Sequence, residues 1–365
     1  MDEPLIHPDL ARAATLPVRW YTDPSFLALE HDRVFRRTWQ IAGLASKVAR
    51  PGDYITTEIA GEPLILVHDA EEHFRAISNV CRHRAGPIAR GDGNREAFKC
   101  GYHGWTYSLE GRLLSAPEFE ESEGLRPEEI RLPEARVGSW GPFLFVNLDP
   151  GAEPLGAWMG EMIHRTSHIP LHEMLPAERR QYIVNCNWKV CVDNDLEGYH
   201  IPVVHPSLFR EIDYDACRTE TFKHCSLRIA PIRHGEDARG RRGTASGDQE
   251  REVICFWIFP NLMLDIHPDH FSTNLVLPLG HDRTRVVFEW FFRDPNSLAA
   301  RESVHRAVAS SDEMLKEDIA VCEAVFRGLL SGAYDRGRYS ARRESGVHHF
   351  HRLLAGLMGD DPLKA

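Results

Sequence analysis

The spacing of hydrophobic residues changes twice along this chain of 365 residues. Between Asp23 and Gln40, apolar side chains recur at roughly helical spacing, so the pattern predicts an amphipathic helix. From about residue 44 the period shortens to two, and apolar segments alternate with glycine and acidic turns as far as Val137–Leu148. This pattern predicts an all-β domain at residues 40–155.

The remainder of the chain mixes the two periods. A helix-like segment runs from Asn187 to Val204, and a long amphipathic helix is predicted from Ser310 to Leu330. The stretch at 233–250 is rich in glycine and charge and predicts a mobile surface loop. Strands are predicted at Cys255–Leu264, Phe271–Leu279 and Arg285–Phe292. Residues 156–365 are therefore expected to combine helices with strands.

Composition and charge describe an ordinary globular protein and argue against several functions. Hydrophobic residues make up 42% of the chain, and its length favours two domains over one. The net charge of −11 argues against partners such as nucleic acid or anionic membranes. No apolar run approaches the roughly 18 residues of a membrane span, and no signal-like segment opens the sequence, so we expect a cytoplasmic protein. The chain also lacks the GxGxxG fingerprint of a nucleotide-binding fold.

Two short loops carry the most specific chemistry in the sequence. The first contains Cys81 and His83, the second contains Cys100 and His103, and sixteen residues separate the loops. Two thiolates and two imidazoles can hold a [2Fe–2S] cluster with both histidines on one iron. A Cys₂His₂ zinc site is the alternative, but such sites usually take both cysteines from one loop and both histidines from another. The mixed loops therefore favour the iron–sulfur cluster.

A second set of metal-binding residue types lies near the middle of the chain. Glu197 and His200 are three residues apart, which puts two side chains on one helix face, and His205 follows after Pro202. Two histidines and one carboxylate form the facial triad of non-haem Fe(II) oxygenases. Asp318 is the best candidate for that carboxylate, because it lies in the apolar stripe of the C-terminal helix, where an unpaired acid is costly.

Ordinary structural roles compete with this interpretation. Two histidines can satisfy hydrogen bonds within a core, and Asp318 can be an acid on a helix surface. Glu313 and Glu317 lie nearby but are expected on the polar face of that helix. A cluster able to deliver electrons within the same chain favours iron over these alternatives.

Taken together, the two sets of residues resemble the Rieske non-haem iron oxygenase α subunits, and the resemblance spans nearly the whole chain. The segments that carry it are Cys81–Arg84, Cys100–Trp105, Asn187–Lys189, Asp193–His200 and His205–Pro206. The tail, through Glu317–Glu323 and Arg327–Gly332, is similar to the branch that acts on quaternary amines such as choline, glycine betaine, carnitine and proline betaine. Two positions depart from the family pattern: Phe326 stands where glutamine is usual, and Asp195 where an aromatic residue is common.

The resemblance implies an α+β protein with two domains. A Rieske [2Fe–2S] all-β domain would occupy 40–155, and residues 1–39 would join 156–365 in a helix-grip (START-like) catalytic domain with an antiparallel sheet and a C-terminal helix. The implied ligands are Cys81, His83, Cys100 and His103 for the cluster, and His200, His205 and Asp318 for a mononuclear iron. Glu197 would link the Rieske cluster of a neighbouring subunit to His200, in a homotrimer closed head to tail.

The resemblance also implies an activity. The chain would be the oxygenase component of a monooxygenase or dioxygenase that uses O₂, the Rieske cluster and mononuclear Fe(II) to hydroxylate a small quaternary or N-methylated amine. NAD(P)H and flavin would act only through a separate flavin and iron–sulfur reductase. The alternative enzyme is an aromatic-ring hydroxylating α subunit acting on an arene or an aromatic acid. A different class of protein, an electron-transfer ferredoxin with an inert second domain, would hold the cluster alone.

A cationic substrate would suit an aromatic cage, because a quaternary ammonium gains roughly 0.5–2 kcal/mol over an aromatic ring. The apolar strand that begins at Cys255 supplies aromatic residues, and Trp257 is the candidate for the substrate pocket. The competing interpretation of this segment is an ordinary core strand.

Overall fold

In the computed structural model, the chain divides into two compact units. The structure describes residues 4–119, 121, 126–233, 252–267 and 269–359. The small unit comprises His31–Trp158 and Ile169–Glu173, and the large unit comprises Met1–Glu30, Met159–His168 and Met174–Ala365. Residues 31–39, expected in the catalytic domain, cluster with the small unit instead. The mobile loop predicted at 233–250 lies, apart from Arg233, outside the described residues.

Antiparallel strands form the small unit. They are β1 (Gln40–Leu44), β2 (Asp53–Ile59), β3 (Glu62–His68), β4 (Phe74–Ser78), β5 (Asp92–Asn94), β6 (Ala97–Lys99), β7 (Thr106–Ser108), β8 (Leu113–Ser115), β9 (Glu134–Trp140) and β10 (Phe143–Asn147). Seven of them form a sheet in the order β1–β10–β9–β4–β3–β2–β5, and β6, β7 and β8 form a smaller sheet. The period-two pattern of the sequence therefore predicted the class of this region correctly.

The interior strand β3 is buried on both faces. Ile65 and Val67 pack in a core that also contains the thiols of Cys81 and Cys100. Leu66, which points to the opposite face because side chains alternate along a strand, packs in a second core. The predicted cluster loops therefore rest on one of two hydrophobic cores that the sheet separates.

Two elements predicted in this part of the chain are divided in the structure. The helix expected from residue 23 to 40 is a short helix, Ser25–Glu30, followed by a π-helical turn, His31–Phe35. The strand expected at Val137–Leu148 is the β9–β10 hairpin, because Gly141 turns the chain with a φ of 55°. That left-handed conformation is one that glycine adopts at little cost.

The helices of the chain are numbered here in sequence order. They are α1 (Arg19–Thr22), α2 (Ser25–Glu30), α3 (Leu155–Met159), α4 (Glu161–Thr166), α5 (Trp188–Leu196), α6 (Ile201–Val204), α7 (Pro206–Glu211), α8 (Leu298–Leu329) and α9 (Ser345–Met358). Short 3-10 turns lie at Ala45–Val48, Pro127–Glu129, Leu171–Glu173 and Tyr214–Ala216. Among the described residues, none of the helices combines the length and the hydrophobicity needed to cross a bilayer.

A second antiparallel sheet forms the base of the large unit. Its strands are β11 (Leu175–Val184), β12 (Arg218–Thr221), β13 (Cys225–Pro231), β14 (Glu252–Ile258), β15 (Leu262–Ile266), β16 (His270–Gly280) and β17 (Arg283–Phe292). They are arranged in the order β11–β17–β16–β15–β14–β13–β12. The single strand predicted at Cys255–Leu264 is the hairpin of β14 and β15, which turns at Pro260 and Asn261.

Two helices position the candidate iron site of the large unit. Helix α5 begins at the N-cap Asn187, whose side chain accepts from the N–H of Lys189 at 3.1 Å. The ammonium of Lys189 forms a fully buried ion pair with Glu30 at 2.5 Å, which ties the N-terminal segment to α5. Helix α8 spans 32 residues, a length of about 48 Å at 1.5 Å per residue, and carries Asp318 in its second half.

Candidate cluster and iron sites

The two Cys–His loops of the small unit share one backbone pattern. In each loop the cysteine N–H donates to the carbonyl five residues later, at 2.9 Å from Cys81 and 2.8 Å from Cys100. The residue four positions after each cysteine donates back to the cysteine carbonyl, at 3.0 and 3.1 Å. That residue is left-handed in both loops: Ala85 has a φ of 57° and Gly104 a φ of 76°. Two turns of the same construction thus carry the four predicted ligands.

The side chains of these loops fit a [2Fe–2S] cluster. Both thiols are free and buried, and the ring centroids of His83 and His103 lie 4.6 Å apart. The Nδ1 atom of His83 is buried without a hydrogen-bond partner among the described residues, and a bond to metal would satisfy it. Trp105 stacks on the His83 ring at 5.0 Å and 8°, which fixes the orientation of that ring.

Tyr107 contributes to this site, although the sequence analysis did not single it out. Its hydroxyl oxygen lies 3.3 Å from the Cys81 sulfur and accepts from the N–H of Arg82 at 3.0 Å. Because the oxygen already accepts that bond, its own proton is available to the sulfur. Burial raises the pKa of Tyr107, which keeps that proton in place. Hydrogen bonds to the sulfurs are among the factors that set the reduction potential of such clusters.

In the large unit, the segment between α5 and α6 positions the first predicted iron ligand. A single helix was predicted from residue 187 to 204. In the structure, α5 ends at Leu196 and α6 begins at Ile201. In the interval, the Glu197 carboxylate accepts from the backbone N–H groups of Tyr199 and His200, the latter at 3.1 Å. Its other oxygen lies 2.5 Å from Nδ1 of His200. Glu197 thereby orients the imidazole and leaves the Nε2 atom of His200 available for a metal.

The structure brings His200, His205 and Asp318 together. A carboxylate oxygen of Asp318 lies 3.0 Å from Nε2 of His205 and 3.6 Å from Nε2 of His200. One ligand atom from each residue falls within 4.8 Å of the others. Two imidazole nitrogens and one carboxylate are the donor set of the Fe(II) facial triad, so these residues fit a mononuclear iron.

Glu317 is a second carboxylate at this site. It was expected on the polar face of its helix, yet its carboxylate lies 2.6 Å from Nδ1 of His205. Each predicted histidine ligand therefore has a carboxylate on its Nδ1 atom: Glu197 on His200 and Glu317 on His205. Such partners fix the tautomer of a metal-binding histidine and increase its basicity. Burial lowers the pKa of His205, but Asp318 and Glu317 outweigh it and hold that pKa above its usual range.

A cavity of about 200 Å³ opens beside these residues. Its lining includes the three residues of the iron site together with Asp195, Arg228 and other side chains of the large unit. Burial and the nearby carboxylate of Asp265 raise the pKa of Asp195 to about 7, although Arg228 opposes the rise. The Arg228 guanidinium donates to the carbonyl oxygens of Asp195 and Glu197, at 3.0 and 3.1 Å. It thereby satisfies carbonyls that the end of α5 leaves open.

Trp257 is not among the residues that line this cavity. Its side chain is 1% exposed, and its ring packs against Phe259, His349 and Phe350. The indole N–H donates to the carbonyl of Pro260 at 3.2 Å. These contacts are those of a core residue.

Comparisons with known proteins agree with this geometry. The family model of the ring hydroxylating α subunit (catalytic domain) matches residues 171–360, and that of the Rieske [2Fe–2S] domain matches residues 38–132. The chloroplastic choline monooxygenase of Arabidopsis thaliana is 36% identical over 359 residues, which cover 94% of this chain and 83% of that protein. The carnitine monooxygenase oxygenase subunit of Escherichia coli (strain K12) is 28% identical over 363 residues, 95% of each chain. The structure of a quaternary ammonium Rieske monooxygenase matches with a TM-score of 0.84 at 25% identity, over 96% of both chains.

The chain belongs to the ring-hydroxylating α-subunit family of Rieske non-haem iron oxygenases. Its relatives in the comparison are choline and carnitine monooxygenases. The cofactors of this family, a Rieske [2Fe–2S] cluster and a mononuclear iron, are those predicted from the sequence, and the α+β class is confirmed. An oxygenase component of this kind takes a small-molecule substrate and receives its electrons from a separate reductase. The electron-carrier alternative is wrong, because the catalytic-domain model matches more than half of the chain.

Proposed function

We propose that this chain hydroxylates a small quaternary or N-methylated amine. The observation that carries the proposal is the convergence of His200, His205 and Asp318 at a cavity of about 200 Å³. In this proposal these three residues bind the mononuclear iron, and the cluster is held by Cys81, His83, Cys100 and His103. We assign residues 40–155 to the Rieske domain and residues 1–39 and 156–365 to the catalytic domain, although residues 31–39 and 156–158 pack with the small unit. We also propose that the protein is cytoplasmic.

The size and lining of the cavity support an amine over an arene. Pockets for drug-sized ligands measure roughly 300–1,000 Å³, so this cavity suits a smaller molecule. The lining contains the carboxylates of Asp195 and Asp265, which favour a cation, and two of its three described arginines, Arg342 and Arg343, are paired with Asp215. Sequence similarity to choline and carnitine monooxygenases supports the same substrate class.

The protein residues orient the reactants in this proposal. When bound, the two metal centres supply electrons and activate O₂. Glu197 and Glu317 hold the two histidines in the tautomer that leaves each Nε2 free of its proton. Overall, one oxygen atom of O₂ enters a C–H bond of the substrate, and two electrons and two protons reduce the other atom to water. Hydroxylation of an N-methyl group gives a carbinolamine that expels formaldehyde, and hydroxylation of a primary-alcohol carbon gives an aldehyde hydrate.

Electron transfer between copies of the chain is the second part of the proposal. Tyr102, next to the predicted ligand His103, is 61% exposed on the small unit. On the large unit, Tyr199 and Val203 flank His200 and are 60% and 83% exposed. Exposed apolar residues beside both metal sites support an interface that joins the cluster of one subunit to the iron of the next. We propose a head-to-tail trimer, the smallest ring after a dimer that such an interface can close.

A substrate panel tests the amine assignment directly. The holoenzyme is supplied with a surrogate reductase and NADH, and O₂ uptake is measured with choline, glycine betaine, carnitine, proline betaine and a set of aromatic acids. We expect uptake coupled to hydroxylated or demethylated product for at least one quaternary amine. Turnover of an arene without turnover of any amine would replace the proposal with the aromatic-ring alternative.

Replacement of Glu317 tests its contribution to iron binding. We expect Glu317→Ala to lower iron affinity by roughly 10–100-fold, the usual effect of losing the outer partner of a metal-binding histidine. Glu317→Gln should lower iron affinity less than Glu317→Ala does, because the glutamine amide keeps a hydrogen bond to Nδ1 of His205. Iron retained after dialysis against a chelator is the measurement, and the Rieske visible spectrum should not change. Glu313→Ala, an exposed acid on the same helix, is the matched control and should retain iron as the wild type does.

A further inference from the structure

The cavity beside the iron site contains two carboxylates that the proposed mechanism does not use. Asp195 lies in the last turn of α5, and Asp265 lies in β15. Both line the cavity. Asp265 belongs to a row of side chains that crosses the sheet, where directly paired residues are close neighbours. The row is Arg228 on β13, Cys255 on β14, Asp265 on β15 and Ser272 on β16, and all four line the cavity.

Neither carboxylate has a basic counter-ion within 4.0 Å in the part of the chain that the structure describes. Arg228 lies in the same row, but its Nη1 atom donates to the backbone carbonyls of Asp195 and Glu197. Asp265 has the thiol of Cys255 as a hydrogen-bond partner, which supplies no charge. Arg228 partly offsets the charge of the two acids, as its opposition to the raised pKa of Asp195 shows, while its Nη1 atom bonds the end of α5.

Two other arginines of the lining are paired elsewhere. Arg342 and Arg343 approach the same carboxylate of Asp215, at 2.9 and 3.4 Å. Asp318, the remaining acid of the lining, is assigned to iron. In the described part of the lining, Asp195 and Asp265 are therefore the acids without a close ion-pair partner, and an incoming cation would compensate the charge that Arg228 leaves.

Among the described residues, the lining contains little aromatic surface for a cation. Apart from histidines, its aromatic residues are Tyr214 and Phe288. The guanidinium of Arg343 already covers the ring of Tyr214, at 3.9 Å from its centroid. Phe288 alone cannot surround a quaternary ammonium, which aromatic sites hold between several rings. The cavity therefore attracts a cation through the charge of its carboxylates and does not surround it with an aromatic cage.

The energetic argument favours a cationic occupant. Asp195 and Asp265 are partly exposed, and two neighbouring carboxylates disfavour each other's ionised form, so a positive charge beside them is favourable. A quaternary ammonium has no N–H to donate, so its attraction to a site depends on charge and does not require directed acceptors. A carboxylate pair meets that requirement, and the ligand in turn neutralises the pair.

We propose that Asp195 and Asp265 together bind the positively charged head of the substrate and select quaternary ammonium compounds over uncharged molecules of the same shape. This inference rests on the proposed function and assigns the residues that determine its substrate class. Asp195 also stands where an aromatic residue is common in the family. In this proposal, the acid at that position contributes to the recognition of the cationic substrate.

Binding measurements on the iron-loaded holoenzyme test the pair without turnover. The probes are choline, glycine betaine and carnitine, and 3,3-dimethylbutan-1-ol, the uncharged carbon analogue of choline. The variants are Asp195→Asn, Asp265→Asn and the double variant, each of which removes charge and keeps shape. We expect each single change to raise the calorimetric Kd of the quaternary compounds roughly tenfold or more, the scale of a close charge pair in a partly dry site. Binding of the carbon analogue should stay equal or tighten.

Asp282→Asn is the matched control, because Asp282 is an exposed acid of the β16–β17 turn that does not line the cavity. Iron content and the Rieske visible spectrum of every variant confirm that the sites have assembled. Equal affinity of the wild type and the double variant for a quaternary compound would overturn this inference and leave the proposed function standing. If the wild type neither binds nor oxidises any quaternary compound, the proposed function fails, and the inference fails with it. A Kd that rises for choline and its carbon analogue alike would identify a loss of shape and would also overturn the charge-based assignment.

Discussion

Asp318→Ala is expected to remove the mononuclear iron and leave the Rieske cluster in place. The loss follows from the geometry, because the Asp318 carboxylate is the acid that approaches Nε2 of both His200 and His205. Two neutral imidazoles alone form an incomplete facial triad. The effect should exceed the roughly 10–100-fold decrease that follows the loss of an outer-shell partner, so O₂ uptake coupled to product should fall below detection. Quantitative iron analysis should decrease from three irons per chain to two.

The control for this experiment lies on the same helix. Glu313→Ala removes a carboxylate from α8 whose side chain is exposed, and this variant should keep three irons and its activity. In Asp318→Ala, the visible spectrum and the reduced-state EPR signal of the cluster should match those of the wild type, because Asp318 belongs to the large unit and the cluster ligands to the small unit. A variant that still holds the third iron would remove Asp318 from the ligand set.

The sequence predicted the chemistry of the two sites better than their local geometry. The mixed Cys–His loops and the acid in an apolar stripe indicated metal ligands because few other roles explain those residues in those places. The left-handed conformation of Ala85 carries no such signal, since alanine is not a residue that favours it. It becomes apparent only beside Gly104, when both loops are seen to repeat one backbone pattern.

Glu317 shows why part of the iron site could not be predicted. It precedes Asp318, and consecutive residues on a helix point about 100° apart, so the pattern placed it on the polar face. The break between α6 and α7 at His205 decides where its ring lies, and it brings Nδ1 to Glu317 and Nε2 to Asp318. The available signal was a pair of adjacent acids, Glu317 and Asp318, directly before the apolar residues 319–322. Trp257 illustrates the reverse, because alternation along a strand does not reveal whether a side chain meets a cavity or the helix packed above it.

Glu197→Ala is expected to keep the Rieske cluster and to lose nearly all turnover even when its iron site is fully loaded, although its iron affinity should fall as it does for Glu317→Ala. The Glu197 carboxylate is hydrogen-bonded to Nδ1 of His200, and the Glu197 side chain remains partly exposed. In the proposed trimer, a histidine of the neighbouring subunit can therefore contact Glu197. Without it, the proposed connection between the cluster of one subunit and the iron of the next is lost, and coupled O₂ uptake should fall by about 100-fold, the upper end of what an outer-shell partner contributes. In stopped-flow experiments with substrate and O₂, the reduced cluster of the variant should stay reduced. Near-wild-type activity of Glu197→Ala would show that Glu197 does not carry electrons between the subunits.

Mixed copies of the proposed trimer distinguish electron transfer between subunits from transfer within one subunit. A Cys81→Ala chain lacks the cluster but keeps Glu197 and the iron site, and a Glu197→Ala chain keeps its cluster but lacks the bridge. Each variant alone should be inactive. If electrons pass from the cluster of one subunit to the iron of the next, co-expression with two affinity tags should give mixed trimers with restored activity, because an intact cluster then adjoins an intact bridge. If electrons stay within one chain, every chain in the mixture is broken and activity stays absent, which would rule out the proposed head-to-tail path.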